Sequence, residues 1–167
     1  MKLPIYQVDA FASEVFRGNP AAVVPYAEPL STELMQSIAM ENNLSETAFI
    51  QASGPGHYRI RWFTPAVEVD LCGHATLAAA WVVINELEPG LVRVLFDSGV
   101  GRLEVDARDG RLILDFPSRP PAPIGIEPAL VEAMGKPPLE VLKARDLVLV
   151  YKSEAEVMGL RPDFGKL

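Results

Sequence analysis

Three residues that could carry chemistry stand together in the segment Asp70-Leu71-Cys72-Gly73-His74-Ala75-Thr76. A strand pattern ends here and an apolar helix pattern begins, so the first amide groups of the helix lack intrahelical partners and carry the positive end of its dipole. Gly73 permits a tight turn and close approach of an anion, and such a helix start suits a carboxylate or a developing enolate. The helix terminus should lower the pKa of the Cys72 thiol, and His74 could bind substrate or carry a proton. The alternative is a buried structural cysteine beside a histidine that merely begins a helix.

Glu46 is the second candidate, at the start of the apolar strand pattern Asn43-Leu44-Ser45-Glu46-Thr47-Ala48-Phe49-Ile50. Partial burial at the edge of a core would raise the pKa of its carboxyl group toward neutrality and make it a usable general acid or base. The alternative is an ordinary exposed glutamate at a strand start.

Asp9 is unusual because aspartate is depleted in strands, yet it lies in the middle of the first strand pattern. It is either an edge residue or an acid bonded to a turn. The turn Gly18-Asn19-Pro20 is within sequence reach, so we expect Asp9 to contact Asn19 or the loop at Gly18 and to be structural.

The cysteine count limits the thiol chemistry available. Cys72 is the single cysteine, which excludes a disulfide framework, a cysteine-only zinc site and a two-thiol racemase within this chain. Cys72 and His74 are two residues apart on a strand-to-helix turn, a spacing from which we expect no well-oriented nucleophilic pair.

Composition excludes several other classes of function. The chain has 167 residues, 49% of them apolar, and a net charge of −7 that argues against nucleic-acid binding and a polybasic membrane anchor. With two histidines we predict no metal site, and with no signal peptide or membrane-length apolar run we predict a cytoplasmic protein.

The element pattern predicts an α+β fold. Two helix patterns, from Ser31 to about Asn43 and from Gly73 to Glu86, stand among many strand patterns, which is not the alternation of a parallel α/β fold. The second is apolar nearly all round and should be buried, so we predict a curved mixed sheet around a central helix. Strands are expected at 5–11, 21–24, 47–51, 58–63, 91–96, 101–105, 112–116, 139–143 and 147–151, with short helices at 128–134 and from Ser153.

Prolines mark the domain boundary. They make up 15 of the 167 residues, and seven lie between Pro117 and Pro138. Because proline fixes φ and lacks an amide donor, this stretch should not form a central strand or helix interior. We therefore predict a first domain at 1–116, a proline-rich crossover at 117–126 and the beginning of a second, incomplete domain at 127–167.

The order and spacing of these motifs resemble the PhzF-like family, the phenazine-biosynthesis isomerase group. The resemblance rests on Val8-Asp9-Ala10-Phe11, Gly18-Asn19-Pro20-Ala21-Ala22-Val23, Asn43-Leu44-Ser45-Glu46-Thr47-Ala48-Phe49, Arg61-Trp62-Phe63-Thr64-Pro65, Asp70–Thr76, Ser153-Glu154-Ala155-Glu156-Val157 and Leu160-Arg161-Pro162-Asp163-Phe164. It implies a diaminopimelate-epimerase-like fold of two similar halves with the active site in the cleft between them.

The resemblance also implies roles for individual residues. Glu46 matches the catalytic acid/base, which moves a proton between carbons of a small unsaturated carboxylic acid. His74 and Gly73 match the helix-start positions that hold substrate, and Cys72 occupies the position where related epimerases keep a catalytic thiol. Taking these matches with the residue patterns, we expect His74 to act with Glu46 in catalysis, Gly73, Cys72, Asn19 and Asp70 to bind substrate, and Asp9 and Gly18 to give structural support. No metal or organic cofactor is required.

Members of this family continue for roughly another hundred residues. That part carries a second helix start, a catalytic aspartate and a strand that closes the first domain. A homodimer or a partner chain could therefore supply the second half. The alternative to an isomerase is a catalytically incomplete half that binds a partner chain or dimerises.

Overall fold

A computed structural model describes residues 2–14 and 16–167, which divide into two compact units at 1–116 and 117–167. The first unit contains β1 (Tyr6–Ala10), β2 (Asn19–Pro25), α1 (Thr32–Asn42), β3 (Glu46–Gly54), β4 (His57–Phe63), β5 (Glu68–Val69), α2 (Gly73–Val82), β6 (Arg93–Ser98), β7 (Gly101–Arg108) and β8 (Arg111–Asp115). The second contains β9 (Ala122–Ile124), α3 (Pro128–Met134), β10 (Glu140–Lys143), β11 (Leu147–Val150) and α4 (Glu154–Met158).

A mixed eight-stranded sheet forms the first unit, in the order β1-β2-β3-β4-β6-β7-β8 with β5 paired to β4. The pairs β2/β3 and β4/β6 are parallel, and the other pairs are antiparallel. Helix α2 contacts β1 at one end of this order and β8 at the other, as well as β2 and β3. The sheet must therefore curl around α2, which confirms the predicted α+β architecture.

The central strands are buried on both faces. Alternate residues such as Val23, Ile50 and Trp62 pack with α2, while Val24 and Phe49 pack with α1 on the other side. Because side chains alternate along a strand, one strand supplies both cores, which explains the continuous apolar runs of β2 and β3.

The helix boundaries follow the capping residues in the sequence. The Ser31 side chain accepts a hydrogen bond from Leu34 N–H, and α1 ends at Asn43 in a left-handed conformation. The expected single helix at 73–86 is wrong in one respect, because regular α geometry stops at Val82 and Val83–Leu87 form a π-helical turn.

The second unit contains a three-stranded sheet in the order β11-β10-β9. The proline-rich crossover was expected to be extended and to form no central strand, and β9 within it is an edge strand that pairs with β10 and includes Pro123. Its edge position explains why proline is tolerated, since an edge strand has one side free of ladder hydrogen bonds. The short helices begin as predicted, with Ser153 capping α4 through Glu156 N–H.

Among the described helices, none is long and apolar enough to cross a membrane.

Asp9 and Gly18 make the contacts that constrain the described part of the loop between β1 and β2. Asp9 accepts a hydrogen bond from Phe16 N–H at 2.8 Å, which confirms the expected contact of Asp9 with this loop. Asn19 and Pro20 were assigned to a turn, but they are the first residues of β2, where Asn19 is the register partner of Ala10. Gly18 has φ +81°, and a Cβ there would lie 2.2 Å from the Ala10 carbonyl oxygen.

Replacing Gly18 should therefore destabilise the first unit through both strain and a backbone clash. We expect Gly18→Ala to lower the free energy of unfolding by about 3 kcal/mol or more. Gly110 is the matched control, because its φ is +72° but nothing lies within 4 Å of a Cβ, so Gly110→Ala should cost about 1–2 kcal/mol. Urea unfolding measures both values, and equal losses would contradict the clash.

Candidate functional site

The starts of two elements converge on one cluster. Glu46 is the first residue of β3, and its register partner on the parallel strand β2 is Ala21. His74 is the second residue of α2 and Cys72 is its N-cap. Because α2 packs inside the curled sheet, its first turn is held against the start of β3.

Hydrogen-bonding distances connect the three side chains. His74 Nε2 lies 3.3 Å from Glu46 Oε2, and His74 Nδ1 lies 3.4 Å from Cys72 Sγ. The Cys72 and His74 side chains are almost fully buried, whereas that of Glu46 is 20% exposed. The imidazole thus stands between a thiol and a carboxylate that solvent still reaches.

Local backbone chemistry fixes the helix start. Cys72 is extended, with φ −146° and ψ 115°, and makes no side-chain cap hydrogen bond. The Thr76 hydroxyl instead donates to the Cys72 carbonyl oxygen at 2.6 Å, one turn along the helix. This buried contact was missed from the sequence, although a Thr four residues after a helix start is a known signal for such a bond.

The pKa of Cys72 corrects the expectation of an activated thiol. Burial raises the pKa of the Cys72 thiol to about 12, and the Glu46 carboxylate beside it adds to the rise. The amide groups of Ala75 and His74 act in the opposite direction but are outweighed. Desolvation therefore exceeds the effect of the helix terminus, and the group is a neutral thiol at pH 7.

Burial also lowers the pKa of His74, opposed by the Glu46 carboxylate and the Pro20 backbone carbonyl. The imidazole is therefore neutral at neutral pH, with one nitrogen a donor and the other an acceptor. The Pro20 carbonyl was not predicted as part of the site. It is brought there because β2 runs parallel to β3.

Cys72 and His74 lie in contact, although their spacing led us to expect no well-oriented nucleophilic pair. The extended backbone at Cys72 turns its sulphur to the ring, and 3.4 Å is within hydrogen-bond range for sulphur. The raised thiol pKa nevertheless leaves no thiolate for nucleophilic attack at neutral pH.

One ring nitrogen of His74 remains unsatisfied within the described residues. Nε2 is buried, and despite its distance of 3.3 Å from Glu46 it lacks a partner with hydrogen-bond geometry. Buried polar atoms are nearly always paired in folded proteins, so this nitrogen, beside a partly exposed carboxylate, is open to a hydrogen-bonding partner from outside the described residues.

The cluster also has the residue types of a metal site, since ligand atoms of Glu46, Cys72 and His74 lie within 4.8 Å of one another. In the structure the imidazole turns one nitrogen to Glu46 and the other to Cys72, which are the contacts of a hydrogen-bonded relay. The absence of a metal from this site stays a prediction.

The remaining sequence candidates lie at different distances from the cluster. Asn19 is two residues before the register partner of Glu46. Gly73 begins α2 without a positive φ, and a Cβ there would make an ordinary contact with Phe116 at 3.7 Å. The expected tight turn therefore does not explain why this position is a glycine. Asp70 is exposed and lines a separate depression with Arg61 and Glu68.

Comparisons with known proteins agree with this fold. The model of the family PhzC-PhzF, described as phenazine biosynthesis-like protein, matches residues 8–167. An uncharacterized isomerase of Pseudomonas aeruginosa is 49% identical over 167 residues, which is all of this chain and 64% of that protein. The crystal structure of a PhzF-family phenazine biosynthesis protein from Enterococcus faecalis superposes with TM-score 0.91 at 47% identity, covering 100% of this chain and 64% of that one.

A more distant structure shares the fold. A predicted epimerase from Pseudomonas aeruginosa has TM-score 0.72 at 22% identity, with 97% of this chain and 64% of that chain covered. The chain spans about 64% of the length of the first two relatives as well. The family model covers nearly every residue of both units, and the chain therefore belongs to the PhzC-PhzF family of phenazine biosynthesis-like proteins.

Proposed function

We propose that this chain carries the acid/base half of an isomerase that moves a proton between carbons of a small unsaturated carboxylic acid. The observation that carries the proposal is the buried, unsatisfied Nε2 of His74 beside the Glu46 carboxylate at the start of α2. The isomerase name borne by a relative of 49% identity supports the reaction class.

Glu46 is suited to be the acid/base. Its side chain is 20% exposed, so a substrate that enters from solvent can contact it. The neighbouring Cys72 and His74 side chains are buried. In the forward step its carboxylate takes a proton from the carbon next to the substrate carboxyl group, and the electron pair delocalises as a dienolate. The resulting carboxylic acid returns the proton at the far carbon, so no net charge or atom is gained.

His74 and the start of α2 stabilise the charge that this step creates. The developing dienolate bears its negative charge on the substrate carboxyl oxygens, where hydrogen-bond donors at a helix N-terminus act most strongly. His74 is neutral and buried, so an N–H at Nε2 can donate to these oxygens. The substrate's own carboxyl group is the electron sink, and the reaction requires no cofactor.

Gly73 and Asn19 complete the proposed substrate contacts. Gly73 exposes the first backbone of α2 to an anion, and Asn19 begins β2 beside the strand that carries Glu46. Cys72 contributes as a neutral thiol rather than as a base. Asp70 was also expected to bind substrate; it is exposed and lines a separate depression, so this proposal gives it no defined contact.

Replacement of Glu46 tests the proposal. But-3-enoate in D₂O is a suitable probe, because proton transfer converts it to crotonate and solvent deuterium appears in the product by ¹H NMR. We expect Glu46→Gln to lose at least about 100-fold of the wild-type rate, since the amide cannot accept the proton.

Glu41→Gln is the matched control, because Glu41 is an exposed glutamate near the end of α1. It should retain the wild-type rate. Equal rates for Glu46→Gln and wild type, or a wild-type rate no higher than that of buffer, would contradict the proposal.

A second candidate function is self-association as a non-catalytic half, and a groove on the first unit favours it. This groove of about 560 Å³ is lined by β1, α2 and β8, the two ends of the described sheet order and the helix between them. Trp81 of α2 lies in it and is 41% exposed. We propose a second copy of the chain as the occupant, because a sheet edge pairs readily with another edge.

Sedimentation equilibrium tests the self-association. We expect the 167-residue chain to dimerise, and Trp81→Lys to weaken the dimer by removing apolar contact and adding charge. Val92→Lys is the control, because Val92 is an exposed apolar residue outside the groove. A wild-type monomer at all concentrations that turns over but-3-enoate would exclude this candidate.

A further inference from the structure

We infer that Cys72 is a positioning residue that holds the neutral His74 imidazole in its Nε2–H tautomer, so that the ring presents a donor beside Glu46. The inference deepens the proposed function and rests on it for its catalytic meaning, although the tautomer itself can be measured without any substrate.

The geometry places a carboxylate acceptor opposite one nitrogen of the ring. Glu46 Oε2 lies 3.3 Å from Nε2. With the proton on Nδ1, the Nε2 lone pair would face this carboxylate oxygen inside a buried site, where two acceptors repel each other strongly. With the proton on Nε2, the same contact becomes attractive.

The Nε2–H tautomer needs a donor at Nδ1, and Cys72 supplies it. The described hydrogen bond of Nδ1 is with Cys72 Sγ at 3.4 Å, and both side chains are more than nine-tenths buried. The thiol keeps its proton at neutral pH because burial and the Glu46 charge oppose ionisation. The S–H of a protonated thiol is a weak donor, and opposite a ring whose proton is on Nε2 it is the group that can satisfy the Nδ1 lone pair.

Glu46 is a competing acceptor for the same thiol proton, since it also interacts with Cys72. Even when the thiol donates to Glu46, His74 Nε2 still faces the carboxylate. The Nε2–H tautomer therefore remains the preferred one. The thiol therefore strengthens a preference that the carboxylate begins. In the proposed reaction, the donor N–H would be in place before substrate arrives, which is the preorganisation on which such sites depend.

Long-range ¹H–¹⁵N spectra of the ¹⁵N-labelled 167-residue chain at pH 7 test the inference. The chain has two histidines, and exposed His57 serves as an internal reference for a solvent-facing ring. We expect the wild-type His74 ring to show a protonated Nε2 and an unprotonated Nδ1. Cys72→Ser, which keeps a donor, should preserve this pattern.

Cys72→Val removes the S–H donor and nearly preserves the volume of the side chain. We expect its His74 tautomer ratio to move toward that of His57. A protonated Nδ1 in the wild-type chain overturns the inference without any variant, and so does an unchanged ratio in folded Cys72→Val. If Cys72→Val does not fold, the Cys72→Ala ratio decides in the same way, and the wild-type spectrum alone still supports or contradicts the assignment.

These outcomes are independent of the test of the proposed function. A weaker Nε2–H preference in Cys72→Val with no exchange by wild type would support the positioning role and contradict the isomerase. Loss of exchange in Glu46→Gln, together with a protonated His74 Nδ1 in the wild-type chain, would support the isomerase and contradict the positioning role.

Discussion

The burial of α2 inside the curled sheet is the constraint on which the site depends. The helix is apolar around nearly its whole circumference, and Ala75, Ala79 and Val82 are completely buried. An apolar helix of this kind cannot lie on a surface without exposing a large apolar area to water, so the sheet must close around it. Small alanine side chains let the strands approach closely from several directions.

This packing fixes the helix start where chemistry requires it. The first turn of α2 carries Cys72 and His74, and it meets the start of β3 with Glu46. Burial then sets the protonation states, because desolvation keeps the thiol protonated and the imidazole neutral. A site of neutral donors beside one partly exposed carboxylate follows from the core rather than from a separate loop.

Much of the fold could be predicted from the sequence because the signals were local. Ser31 and Ser153 marked helix starts, and the apolar character of residues 73–82 indicated a central helix. The strand at 122–124 was missed because its stability comes from pairing with β10, which no local pattern shows. No local pattern indicated the π-helical turn after Val82 either.

The sequence predicted which residues form the candidate site but not their protonation states. Motif order brought Glu46 and His74 together, whereas the pKa of Cys72 moved in the direction opposite to that expected from the helix dipole. The depth of burial decides between the two effects, and it is a property of the folded chain. No sequence motif predicted that the Pro20 carbonyl would lie beside His74, because the parallel pairing of β2 with β3 brings it there.

The most direct test of this account is an NMR titration of the chain with crotonate, a small unsaturated carboxylate. Binding at the α2 start predicts that the amide signals of Gly73 and Ala75 and the His74 ring signals shift together along one saturating curve. Shifts confined to other parts of the chain, with these signals unmoved at saturation, would contradict the central claim that this helix start receives a carboxylic acid.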